Sequence, residues 1–357
     1  MKIKNIISLL GLFLITHFVL LTSSFAQDVH FTQSNMIPLM LNPALTGNEG
    51  DQRVFLNYKN QWRGMSANGS AFNTALFSFD AALMKKKWRR GYLGTGIIAY
   101  KDVAGDLKMG TTQICLSVAG IVHLSESQTL SGGLQGGFVQ KSLSTANMQW
   151  ESQYDASSGT YNSNLLSNDI ATAPPTSYGD FSGGLAWNYS SPQSNLGAND
   201  QLKVNVGVAA QNVNTPKQTF STIGNDQLYS KYILHSLAEI GIVNTDMAVM
   251  PSVVFYKQGA SYELNVGTLF RWTIKEKSKY TGVYKGSAFS LGAQYRLNDA
   301  IAPVALFEYS HYSIGLSYDI NISGLNAATQ GKGGFEISLK YVNPNPFRSA
   351  PRLRDDN

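Results

Sequence analysis

Charge and cysteine are both scarce in this 357-residue chain. Lys, Arg, Asp and Glu make up 14% of it, against about 25% in an average soluble protein. A single cysteine excludes an internal disulfide and a cysteine-built zinc site. The formal net charge of +5 falls short of the dense basic face that nucleic-acid binding needs, so no nucleic-acid partner is expected. After the first two dozen residues, no apolar run approaches the ~20 residues of a spanning helix. The five histidines (His17, His30, His123, His235 and His311) make no HExxH or paired-ligand spacing, and no GxSxG elbow occurs. Gly94-Thr95-Gly96 with Ala99 has no helix pattern after it and reads as glycine within a strand. No catalytic residue, metal or cofactor is expected. A hydrophobic content of 43% excludes a disordered chain. What remains is 33 Gly, 18 Tyr, 17 Phe and a mean hydropathy of −0.13. That composition suits a membrane β-barrel or a large soluble β protein.

Residues 1–26 read as a secretory signal peptide. Lys2 and Lys4 precede a mostly apolar stretch from Ile6 to Leu21, and Ser24-Phe25-Ala26 places small residues at −3 and −1 of a cleavage site. An uncleaved anchor is the alternative, and the stretch is short for one. Removal would lower the formal charge by the two lysines, from +5 to +3.

The rest of the chain alternates with a period of two. Tyr312, Ile314, Leu316, Tyr318 and Ile320 oppose Ser313, Gly315, Ser317 and Asp319. Phe335, Ile337, Leu339 and Tyr341 oppose Glu336, Ser338 and Lys340. Residues 202–208 and 262–270 behave alike. A soluble sandwich also alternates. Three features favour an all-β transmembrane antiparallel barrel of about 14 strands. The polar faces are small and wet, aromatics gather near strand ends, and the segments are long enough to cross a bilayer at a tilt. The expected strands lie near 51–59, 70–80, 91–101, 109–122, 128–141, 178–190, 202–213, 231–244, 247–257, 260–273, 285–297, 299–310, 312–322 and 333–343. The segments at 70–80 and 91–101 have mixed faces and leave the inward side open. Strand parity puts the long 142–177 interruption outside the cell. It also puts the very short connections at 258–259 and 298–299 there, which leaves a miscount by one hairpin open. The chain therefore divides into a signal peptide (1–26), an N-terminal segment (27–50), an outer-membrane barrel (51–343) and a periplasmic tail (344–357).

A barrel of this size is too wide for its own side chains to fill, so its lumen must hold water, a plug or a ligand. The segment 27–50 is too apolar for a free tail, and its two prolines with Gly47 argue against a long helix. Phe31, Pro38, Leu41, Asn42, Pro43, Ala44 and Gly47 are its candidate contacts with the lumen or a partner. Lying along the periplasmic rim is the alternative. Lys85, Lys86, Lys87, Arg89 and Arg90, around Trp88, form the densest charge run. They read as a solvated turn, or as a periplasmic contact for a partner or acidic lipid. Cys115 reads as a small residue in an apolar strand, without a catalytic base near it in sequence.

Five stretches carry a resemblance. Gln27-Asp28-x-x-Phe31-x-Gln33, Pro38-Leu39-x-Leu41-Asn42-Pro43-Ala44-x-x-Gly47 and Tyr58-Lys59-Asn60-Gln61-Trp62 resemble the start of the PorP/SprF family of type IX secretion outer-membrane proteins in Bacteroidetes. Ile314–Ile320 and Phe335–Tyr341 resemble its closing strands, with Phe335 where histidine is common. The resemblance implies an integral outer-membrane barrel of the fatty-acid-transporter type, surrounded by outer-membrane lipid. It implies a part in type IX export and, in some members, gliding motility. It implies two kinds of partner: periplasmic secretion components, or one large secreted adhesin held through its C-terminal signal domain. It supplies no catalytic residues. A porin or hydrophobic-ligand transporter is the alternative.

Overall fold

Fourteen strands close on themselves in a computed structural model that describes residues 30–62, 72–85, 90–105, 107–144, 150–162, 164–165, 175–191, 199–218, 226–276, 286–324 and 326–343. They are β1 (Gln52–Gln61), β2 (Phe72–Leu83), β3 (Gly91–Ala104), β4 (Met109–His123), β5 (Gln128–Ser142), β6 (Thr176–Ser191) and β7 (Leu202–Gln211). The second half is β8 (Lys231–Gly241), β9 (Met247–Gln258), β10 (Ser261–Lys275), β11 (Ser287–Arg296), β12 (Ala300–Tyr309), β13 (Tyr312–Asn321) and β14 (Lys332–Asn343). Each strand pairs antiparallel with its sequence neighbour, and β1 pairs with β14 from Gln52↔Asn343 to Gln61↔Gly334. The sheet therefore has no edge, which a lipid environment demands because unpaired backbone groups would find no water there. The proposed signal peptide and tail lie outside the described residues.

Call the mouth that holds Gln52 and Asn343 the near end, and the other the far end. The alternation sends Ile314, Leu316, Tyr318, Ile337 and Leu339 outward, where they are exposed, and Gly315, Ser317, Asp319, Glu336 and Ser338 inward, where they are buried. Outward aromatics form two belts. Trp187, Tyr189, Trp272, Tyr309, Tyr312 and Tyr341 lie towards the near end. Tyr58, Phe181, Tyr232, Tyr295, Tyr318 and Phe335 lie towards the far end. Tyr and Trp dominate both levels, and aliphatics with Phe77 lie between them, which matches the two interfaces of a bilayer.

The mixed faces of β2 and β3 have a cause. Leu76, Tyr92 and Ile98 point inward and are buried, while Phe77 on the other face is exposed. The inner wall here is apolar because it packs against chain inside the barrel, which settles the inward side that the sequence left open. The count of fourteen includes the two very short connections. Both lie at the far end, each with a residue in the left-handed region, Gly259 (φ +56°) and Asn298 (φ +58°). The far end also carries the 142–177 connection. Its described part holds a 3-10 turn (Glu151–Gln153) and a two-stranded ribbon pairing Tyr154–Asp155 with Thr160–Tyr161.

Candidate functional site

Residues 30–51 run through the lumen before the chain enters β1. Proline sets their local form. Pro38 opens a single α-turn (Pro38–Leu41), and Pro43 opens a 3-10 turn (Pro43–Leu45), each at a first helical position that needs no N–H donor. Asn42 caps the second turn, its side chain accepting from Ala44 N at 2.9 Å. Gly47 follows at φ +71°, and its backbone lies against Gly94, so a side chain would fit neither the angle nor the space.

Apolar side chains fix the segment to two patches of the wall. Phe31, Met36, Ile37 and Leu39 pack with Phe55, Leu76, Ile98, Cys115 and Leu306. Leu41, Ala44 and Leu45 pack with Ala186, Ala209, Ile233 and Val254. Glycines in the wall let the segment come close. A Cβ on Gly133 would stand 2.4 Å from the Pro43 carbonyl, and one on Gly184 would stand 2.1 Å from Asn42 Oδ1. Asn42 Nδ2 reaches the Leu185 and Val208 carbonyls at 3.0 and 3.1 Å and His235 Nε2 at 3.1 Å.

Polar latches hold both ends. Towards the far end, Thr32 N and Gln33 N donate to the Glu336 carboxylate at 2.8 and 3.2 Å, and Thr32 Oγ1 donates to Asp319. Ser338 Oγ donates to Gln33 Oε1 at 2.7 Å. Lys59 Nζ lies 3.1 Å from Asp319 and donates to the His30 carbonyl at 3.2 Å, while Arg296 Nη2 approaches Asp319 at 3.1 Å. Lys59, Asp319 and Glu336 are all buried. Asp319 thus faces two cations, while Glu336 is met by hydrogen-bond donors, the Thr32 and Gln33 backbone and the Asn57 amide at 2.9 Å, in a site that water barely reaches.

Towards the near end, Asp80 is the centre. Gly47 N donates to it at 2.7 Å, and Arg53 holds it with two bonds of 2.8 Å. Arg53 Nη2 also donates to the Leu45 carbonyl at 3.1 Å, joining β1 to the segment. Glu49 lies 3.2 Å from Arg53 and 2.8 Å from Lys340. Its side chain is 48% exposed, to water inside a walled mouth. Loss of hydration there opposes ionisation, but Lys340 and Arg53 overcome it and hold the carboxyl at about 2.

The structure brings Phe31, Pro38, Leu41, Asn42, Pro43, Ala44 and Gly47 together in the lumen, all buried. Lys85 is exposed at the near end and has partners within the chain. Its ammonium donates to the Gly50 carbonyl at 2.5 Å and to Asp51 at 2.7 Å, over the Tyr92 ring, and so clamps the entry into β1. Arg90 is exposed at the same mouth. Lys86, Lys87, Trp88 and Arg89 lie outside the described residues. Asp80, Asp319 and Glu336 were not singled out as site residues from the sequence. The available signal was a charge in mid-strand on the lumen face.

Among the described residues, open volumes flank the segment at both ends. A near-end vestibule of about 640 Å³ is lined by Glu49, Asn199, Arg271, Thr273, Glu308 and Lys340 among others. A far-end cavity of about 90 Å³ is lined by Tyr100, Gln113, Gln135, Tyr178, Asp180 and Gln211 among others. Among the described residues, no group of three or more His, Cys, Asp or Glu is placed to hold a metal.

Residues 23–341 match a family model described as type IX secretion system membrane protein PorP/SprF. Among solved structures, BamA from Haemophilus ducreyi lacking POTRA domains 1–3 is similar at 9% identity, over 82% of this chain and 70% of that one, with a TM-score of 0.44. The β domain of the Bordetella autotransporter BrkA is similar at 10% identity, over 82% and 99%, with a TM-score of 0.36. The outer membrane protein OpdK from Pseudomonas aeruginosa is similar at 8% identity, over 82% and 98%, with a TM-score of 0.30. No curated protein matches the chain.

Proposed function

This chain belongs to the PorP/SprF family of type IX secretion system membrane proteins, and from that premise we propose that it is a plugged, non-catalytic outer-membrane scaffold. It helps export or anchor a large cell-surface adhesin or other secreted protein and is linked to gliding motility where the cell glides. Its near end faces the periplasm, where the chain arrives behind a cleaved signal peptide and periplasmic secretion components can reach it. Its far end faces outward, and the 142–177 connection there offers a surface to the adhesin or its C-terminal signal domain.

One observation carries this reading. The lumen is filled by the chain's own residues 30–51, latched at Glu336 and Asp319 on one side and at Asp80 on the other. A barrel filled in this way works through its two mouths rather than through a pore, which suits an anchor better than a porin.

Affinity purification from native outer membranes tests it. A large secreted protein should co-purify, and deleting this chain should strip that protein from the cell surface. An unchanged surface protein in the deletion strain would defeat the proposal.

A further inference from the structure

Of the Tyr58-Lys59-Asn60 run, the plug uses only Lys59. Lys59 points inward, and Tyr58 faces out with 45% of its surface exposed. The outward side has its own organisation. The register sets Tyr58, Ala75, Lys101 and Thr112 in one row across β1–β4, and Leu56, Phe77, Ala99 and Ile114 in the next row towards the near end. Two alanines beside Phe77 and Ile114 leave a lipid-facing groove of about 580 Å³ with an almost wholly apolar lining.

The top of the groove is polar. Tyr58 hydroxyl donates to Asn73 Oδ1 at 3.0 Å, and the Asn60 amide donates to the same oxygen. Lys101 is exposed among them and makes no ion pair or hydrogen bond through its ammonium with any described residue. A lysine on the lipid face costs about 2–4 kcal/mol at mid-bilayer and little near the rim, so an unpaired one belongs at headgroup depth. Lys101 sits three residues before the end of β3, at the far end. There its natural counter-charge is a lipid phosphate, which lysine binds as a point charge. The amides and hydroxyls around it suit a sugar carrying that phosphate.

We propose that this groove binds a phosphate-bearing glycolipid of the outer leaflet, an acyl chain lying over Ala75 and Ala99 and the phosphate held by Lys101. The outer-leaflet assignment rests on the orientation given above; the contact itself does not.

The test uses the full mature protein purified in mild detergent and native mass spectrometry with added lipid A, phosphatidylglycerol or phosphatidylcholine. Lipid A should be retained most strongly. Lys101→Gln should cut retention about fivefold, the worth of one lysine at a charged lipid surface. Ala99→Phe, which fills the groove, should cut it comparably. Lys257→Gln, an exposed outward lysine between Tyr232 and Tyr262, should leave it unchanged. All three substitutions face lipid, and heat-dependent gel migration shows that each variant is folded. Equal retention by wild type, Lys101→Gln and Ala99→Phe would overturn the site as ordinary annular lipid. Equal retention of phosphatidylglycerol would overturn the glycolipid. Whole-cell labelling of an epitope placed in the Arg296–Ala300 turn reads the orientation separately, so a failure of that premise is told apart from a failure of the site.

Discussion

Lys59 Nζ lies 3.1 Å from the carboxylate of Asp319, and neither side chain is more than 1% exposed. The two residues are 260 positions apart, one at the start of the barrel and one near its close. Their pairing, with Glu336 beside them, is where the plug, β1 and the closing strands meet.

Replacing Lys59 by Met should therefore be severe. It leaves Asp319 short of a counter-charge in a buried site, and breaking a buried pair by one partner typically costs about 3–5 kcal/mol. The temperature at which the folded barrel loses its fast gel migration should fall markedly. The double variant Lys59→Met with Asp319→Leu should recover part of the loss, since the orphaned charge is gone.

Gly184→Val tests the plug's seat. Asn42 Oδ1 occupies the place of the added Cβ, so the wall or the plug must move. The barrel's ladder is continuous here, and the plug should yield. The readout is protease cleavage between residues 30 and 51, absent in the wild type and present in the variant. Leu39→Ala should loosen the same segment more gently, at about 2–5 kcal/mol for a large buried side chain.

Glu49 gives a pH prediction. Its folded carboxyl titrates at about 2, below its ordinary value of 4.5. A lowered folded value means that the stabilisation is fully present above the unfolded value and is lost as pH falls from about 4.5 towards 2. Thermal gel-shift midpoints should drop across that window in the wild type and drop less in Glu49→Gln. Equal slopes in the two proteins would remove Glu49 from the near-end latch.

The barrel was legible in the sequence because one face of each strand meets lipid, and the acyl region in mid-bilayer favours apolar groups. Tyr312 to Ile320 and Phe335 to Tyr341 alternate without a break for that reason. β2 and β3 were illegible on their inward side because the plug makes Leu76 and Ile98 apolar there too, so neither face stands out. The plug itself could be read as lumen-seeking from its apolar residues and its prolines. Its latches could not, since Thr32 and Glu336 are 304 positions apart and nothing local marks them as partners. Lys85 is exposed, as its basic run suggests, but its bonds to Gly50 and Asp51, 35 and 34 positions away, have no local mark in the sequence.

The most direct test of the plugged scaffold is single-channel recording of the intact mature protein in a planar bilayer. The account predicts a silent baseline for the wild type, with steps of current appearing only when the plug is displaced, as in Gly184→Val. A large, steady, ohmic current from the unaltered protein would contradict it.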